Sequence, residues 1–215
     1  MYESFFEYIE DQTGLCISKQ EREIIQKSFQ IKMVRRRQYL LQEGDPAKLL
    51  GFVIKGALRQ FSVDDKGNEH IVRFATEGRW ITDYESYQTA VPSLYYIEAV
   101  EPSQLLVITN DAFHILLDNS PIFFKMIFKK YQEANNTSQK RMHSYISMTA
   151  EQRYADLVNS YPQLALRFSQ KMIASYLGIS GETLSRIRKH IVSKKIHFET
   201  GFIDKRIKQV VSPDF

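Results

Sequence analysis

The chain has 215 residues, of which 43% are hydrophobic and 25% charged; this is ordinary globular composition and excludes global disorder. It contains no run of eighteen apolar residues, which argues against a membrane-spanning helix. Its single cysteine, Cys16, rules out an intrachain disulfide and a four-cysteine metal or iron–sulfur site within one chain. The N-terminal stretch MYESFFEYIEDQTG carries acids where a secretory signal carries basic residues, so a reducing cytoplasm is expected. The net charge of +4 is unevenly spread: residues 151–215 hold 11 Lys+Arg against 6 Asp+Glu, and residues 1–150 hold 18 against 19. A near-neutral body with a basic end points to a polyanionic partner at that end, the alternative being a solvated helical surface.

In chain order, the first thirty residues read as helical. In SKQEREIIQKSF, Ser18 is a candidate cap, and Ile24, Ile25 and Phe29 share one side. From about Ile31 the texture changes to short β-prone runs, IKMVRRRQYLL, LLGFVIKG, ALRQFSV, HIVRFA, LYYIEAV and QLLVIT, separated by turn residues. Gly44, Gly56, Gly67 and Gly78 recur at intervals of 12, 11 and 11. Such spacing marks the corners of a compact β barrel or roll, where the backbone needs positive φ or has no room for a Cβ. NDAFHILLDNSP then reads as a short helix stopped before Pro121, followed by a long helix from about Ile122 to Ser147. Along it Phe124, Ile127, Tyr131, Ala134, Ser138, Arg141 and Tyr145 step by 3 and 4 in turn. That heptad spacing predicts pairing with a second copy across a dimer axis, the alternative being a helix lying on its own barrel.

The stretch FSQKMIASYLGISGETLSRIRK holds the most informative local grammar. Ser169 can cap a first helix with Ile173, Ala174 and Leu177 on its inner face. Gly178 sits where the chain must leave that helix with positive φ. Ser180 can cap a second helix whose buried stripe is Leu184, Ile187 and Ile191. Glu182, Ser185, Arg186 and Lys189 then share the opposite, exposed face by their spacing. This is a helix-turn-helix with the start of its second helix turned outward, suited to a major groove. A carboxylate accepts from cytosine N4, an arginine bonds guanine O6 and N7, and Ser185 serves either kind of edge. Ser169, Gln170, Lys171, Thr183 and Lys189 are candidate phosphate contacts, with Arg188, Lys194 and Lys195 as further cations for that role.

This stretch closely resembles the DNA-binding helices of the Crp/Fnr family of bacterial transcription regulators, and the likeness extends over most of the chain. The resemblance implies an α+β protein: an N-terminal antiparallel β roll of the cyclic-nucleotide-binding kind over residues 1–120, a long dimerisation helix over 121–148, and a winged helix-turn-helix over 149–215. TAEQRYADLVNSYPQL looks like the helix such proteins place before the winged domain. Glu182, Ser185 and Arg186 match the family's base-contacting positions, and their E-x-x-S-R pattern is similar to the Fnr-type reader of TTGAT-like half-sites. Gly181 stands where the cyclic-AMP-receptor branch has an arginine, which argues against a TGTGA half-site. The implied partners are double-stranded DNA, a second copy of the chain and RNA polymerase, with no membrane, no cofactor and an unidentified effector.

The same resemblance sets a test for ligand binding. A cyclic-nucleotide site in this family uses glycine–glutamate at a short helix and arginine–serine on the next strand, because the phosphate needs a guanidinium and the ribose a carboxylate. Aligned from Gly78, this chain has Thr82–Asp83 and Ser93–Leu94 at those places. Asp83 or Glu85 is a partial stand-in for the ribose ligand; Arg73 and Arg79 are the nearest replacements for the missing guanidinium. The expectation is an intact roll without a functional cyclic-nucleotide site. Trp80, Tyr84, Tyr87, Tyr95 and Tyr96 either line some other pocket or fill the roll. His70, His114, His143, His190 and His197 are too scattered to suggest a haem ligand or a metal site. A cupin-like β-barrel enzyme or small-molecule binder is the competing function, but its metal needs an H-x-H pair and the chain has none. No catalytic constellation is apparent, so an enzyme is not expected.

Overall fold

A computed structural model describes residues 2–191. The expected wing, together with Lys194, Lys195 and His197, lies outside the described residues. Two short helices open the chain, α1 (Tyr2–Thr13) and α2 (Lys19–Ser28). α2 starts in a capping box, the Ser18 side chain accepting from Glu21 N and the Glu21 carboxylate accepting from Ser18 N. Eight strands follow: β1 (Gln30–Val34), β2 (Tyr39–Leu41), β3 (Leu49–Lys55), β4 (Leu58–Val63), β5 (Glu69–Ala75), β6 (Trp80–Ile81), β7 (Tyr96–Ala99) and β8 (Ser103–Thr109), with α3 (Tyr84–Thr89) between β6 and β7. The single β-prone run from Ile31 to Leu41 is two strands, broken by a tight turn at Arg35–Gln38.

The strands pair antiparallel in two four-stranded sheets, ordered β1-β8-β3-β6 and β2-β7-β4-β5. The sheets enclose a core that includes Leu58, Ile81, Ile97, Leu105 and Ile108, all at most 1% exposed. β3 is buried along most of its length because its outer face is also covered: the Phe5 and Tyr8 rings of α1 lie 4.7 Å from Phe52. The four regularly spaced glycines all have positive φ. Gly56 shows why one of them must be glycine, since a Cβ there would lie 2.6 Å from Ser103 Cα.

Beyond the roll come α4 (Asn110–Asn119) and α5 (Pro121–Ser147), with Ser120 capping α5 and Pro121 in its first turn. α6 (Ala150–Ser160), α7 (Pro162–Arg167) and α8 (Gln170–Leu177) follow, then a helical segment, α9, over residues 181–191. These last helices share a second core of Leu157, Leu164, Phe168, Ile173, Ala174, Leu177 and Leu184, which continues onto Ala57, Phe74 and Val100 of the roll. The terminal helices are therefore seated on the roll, not tethered beside it.

Candidate nucleic-acid interface

The helix-turn-helix is built by short-range bonds. Ser169 Oγ accepts from Met172 N at 3.3 Å to start α8. α8 ends at Gly178 with φ 66°, whose N–H returns to Ala174 O and Ser175 O. Ser180 Oγ accepts from Thr183 N at 3.2 Å and starts α9. Leu184 and Ile187 are buried beneath α9, while Glu182, Ser185, Arg186 and Lys189 are exposed. A hydrogen bond from Ser180 holds the Glu182 carboxyl below its ordinary range, so it is an anion at neutral pH. Thr183 is half-buried and its hydroxyl is engaged locally, 3.1 Å from Ser180 Oγ and 3.4 Å from Arg186 Nη2. Ser169, Gln170 and Lys171 are exposed at the start of α8.

How this unit sits on the roll was not legible in the sequence. β5 is an edge strand, and an uncovered edge offers unpaired N–H and C=O groups. Ser175 of α8 covers it: its hydroxyl donates to Glu69 O at 2.6 Å and accepts from Ile71 N at 3.0 Å. Arg141 of α5 donates to Val72 O of the same edge and to Tyr176 O at 3.4 Å, with its guanidinium 4.2 Å from the Tyr176 ring centroid. Tyr145 OH also donates to Tyr176 O, and Arg153 to Leu177 O at 3.3 Å. Two cations thus meet the carbonyl end of α8, where the helix dipole is negative. Arg167 closes the other side by bonding Glu77 and Glu101 of the roll. Burial opposes the Glu77 charge, but the bonds from Arg167 and Gly56 N–H outweigh it and hold the carboxyl down to about 2. Arg141→Ala is expected to speed amide exchange at Ile71 and Val72 and at the end of α8, leaving the centre of β8 unchanged. Equal exchange in both proteins would show that Arg141 does not hold this contact.

The seven residues spaced for a dimer seam divide between two faces of α5. Phe124, Tyr131, Ala134, Ser138 and Tyr145 are exposed. Ile127 is half-buried against its own core, and Arg141 and Tyr145 bond their own roll and α8 as described. The exposed apolar row runs instead through Phe124, Phe128, Tyr131, Met142 and Ile146.

The ligand-cassette positions are held by one another. Thr82 Oγ1 donates to Leu49 O at 3.0 Å, and Ser93 Oγ donates to Asp83 Oδ2 at 2.7 Å while accepting from Tyr95 N at 3.0 Å. Thr82, Asp83 and Ser93 are buried; Leu94 is 68% exposed. An adjacent cavity of about 290 Å3 includes Tyr39, Leu41, Asp45, Lys48 and Thr82 in its wall. Among the described residues its one lining cation is Lys48. Arg79 lies over the Tyr161 ring and Arg73 sits near Tyr176 and Arg141. The residues present therefore do not fit a cyclic phosphate, which needs a guanidinium beside the Asp83–Ser93 pair. Trp80 packs with Phe5, Phe29, Phe52 and Phe123, Tyr96 stacks on Phe61, and Tyr87 is buried so that its phenol is pushed well up. Among the described residues no group of three His, Cys, Asp or Glu gathers to hold a metal, and no helix is long and apolar enough to cross a membrane.

The described residues thus form a double-sheet roll joined by one long helix to a helix-turn-helix. Residues 31–120 match the family described as "Cyclic nucleotide-binding domain". The chain is similar to the transcriptional activator protein anr of Pseudomonas aeruginosa, 26% identical over 169 residues, covering 72% of this chain and 67% of that protein. It is also similar to the anaerobic regulatory protein of Pasteurella multocida, 23% identical over 167 residues, covering 73% and 60%. The match thus spans about two thirds or less of these curated relatives. Among solved structures, FixK2 from Bradyrhizobium japonicum matches with a TM-score of 0.66 at 19% identity, covering 78% of this chain and 86% of that one. The Thermus thermophilus catabolite activator protein matches with a TM-score of 0.53 at 17% identity, covering 86% and 88%. The family match thus covers the roll, and the likeness to these solved structures is one of fold.

Proposed function

We propose that this protein is a homodimeric, sequence-specific DNA-binding regulator that reads an inverted-repeat operator without a cyclic nucleotide, and that it is not an enzyme. The observation that carries the reading is the exposed row Glu182, Ser185 and Arg186 at the start of α9, set by the Ser180 cap and backed by buried Leu184. A helix of this kind enters a major groove with its first turns against base edges. The E-x-x-S-R order supports a half-site of the TTGAT type. Double-stranded DNA, a second copy and RNA polymerase are the partners, in the cytoplasm. The units are a roll over 1–120, a dimerisation helix over 121–148 and a winged reader over 149–215.

Selection of bound duplexes from a random pool, with no small molecule added, tests this directly. The expected product is an inverted repeat with half-sites about one helical turn apart; recovery of no enriched sequence would sink the reading. Calorimetric titration with cyclic AMP or cyclic GMP is expected to show no micromolar binding. Desolvating a phosphate without a paired cation is costly, and Ser93 already spends its hydroxyl on Asp83. Micromolar affinity for either nucleotide would overturn the ligand part of the proposal alone.

A further inference from the structure

The turn between β1 and β2 is three consecutive arginines, Arg35, Arg36 and Arg37. Gln38 N bonds Arg35 O at 3.0 Å, closing a β-turn whose third residue is Arg37 with φ 64°. A positive φ at that position calls for glycine or asparagine, and a bulky residue there is a strained exception. The turn is held firmly: Arg37 N donates to Ala99 O at 2.7 Å, Ala99 N to Gln38 O at 3.0 Å, and Arg35 N to Gln38 Oε1 at 2.8 Å. Strain kept in place by surrounding bonds is a mark of a functional segment. Here it sets the backbone of two exposed arginines, Arg36 and Arg37, for whose guanidinium groups no hydrogen bond or ion pair exists among the described residues.

Arg36 and Arg37 line a cleft shared with the start of α8. Its walls include Arg59, Glu69 and Glu98 of the roll and Ser169 and Lys171 of the helix-turn-helix, around a volume of about 230 Å3. Arg59 bonds both carboxylates, Glu98 at 2.7 Å and Glu69 at 3.0 Å, and Lys171 adds to the field at Glu69. The lining holds four cations, Arg36, Arg37, Arg59 and Lys171, against these two acids, so a net positive charge is left over. The volume is below the roughly 300–1,000 Å3 of pockets that enclose whole small ligands. It suits an anionic group presented from outside, such as the phosphate of a longer chain.

The orientation of α8 says which phosphate. Its carbonyl end is bonded by Arg141 and Tyr145 of the long helix α5. Its N-terminal end, at Ser169 and Lys171, faces the cleft about 12 Å further along the helix axis at 1.5 Å per residue. The cleft therefore lies on the side of the reader away from α5. We infer that Arg36 and Arg37, with Lys171, form a second phosphate-binding surface that takes the DNA backbone outside the half-site read by α9. The roll then contributes directly to DNA affinity. This rests on the DNA-binding reading above.

The test uses two duplexes built around the selected inverted repeat: one of about 20 base pairs covering only the two half-sites, and one extended by about a helical turn on each side. Binding of the full chain and of an Arg36→Gln/Arg37→Asn variant is followed by fluorescence anisotropy between 50 and 200 mM salt, roughly the range over which phosphate contacts are read. Asparagine tolerates the positive φ at position 37, and binding to the short duplex reports that the variant is folded. The expected result is a steeper salt slope for the wild type on the long duplex, by about 0.9 per added phosphate contact, with that increment lost in the variant and the short-duplex affinity unchanged. A variant matching the wild type on both duplexes, or weakened equally on both, would overturn the flanking contact while leaving the reader intact. A wild type that binds neither duplex would remove the DNA reading and this surface with it.

Discussion

Phe128→Glu combined with Tyr131→Glu is expected to yield a monomer that no longer holds the proposed inverted-repeat operator. Phe124, Phe128 and Tyr131 are each more than half exposed on α5, and Met142 and Ile146 extend the row at 67% and 80% exposure. Burying a large apolar side chain contributes about 1.5–3 kcal/mol, so a row of this length repeated on two chains is enough to hold a parallel pair. Glutamates at its centre replace that gain with like charges facing each other across the two-fold axis. The consequence for DNA is larger than the loss of contact area. Two readers joined in a dimer bind the second half-site as an intramolecular step, which raises affinity by about 10²–10⁴, and the monomer forfeits it. Light scattering at micromolar concentration gives the mass, and anisotropy on the operator gives the affinity. A dimer of unchanged mass would reject this seam. Ile127→Glu is a different experiment, because Ile127 packs against its own core and its replacement reports on folding.

Arg186→Ala and Lys189→Ala are expected to differ in kind. Arg186 is exposed on α9, held loosely by Thr183 Oγ1 at 3.4 Å, so its guanidinium is free to turn toward a guanine. Loss of a bidentate base contact costs roughly 1–3 kcal/mol at the cognate site and relaxes preference at that base pair. Lys189 lies two turns' reach from the cap and on the same exposed side, and is proposed as a phosphate contact. Its loss weakens all sequences alike and flattens the salt dependence by about one unit of slope. Competition between cognate and random duplexes separates the two. Equal weakening of both by Arg186→Ala would remove Arg186 from the reading face.

What the sequence determined by itself is the reader and the spacing of the roll. The Ser169 and Ser180 caps each act on an N–H three residues away, and Gly178 closes α8 on carbonyls three and four residues back. Interactions of that range belong to the local chain, so pattern and propensity suffice to place them. Only the tertiary structure decided which side of α5 is free. Phe124 and Tyr131 were placed by their heptad steps, but Ile127 and Arg141 occupy the same steps and face inward, because Arg141 finds Val72 O at 69 positions' separation. The cover over the β5 edge, made by Ser175 across 104 positions, and the Arg167–Glu77 pair across 90 leave no periodic trace. Nor does the meeting of the Arg36–Arg37 turn with the start of α8. A helix with two half-apolar faces has one buried by whatever element the fold brings beside it, and that choice is made by long-range packing, which local sequence does not encode.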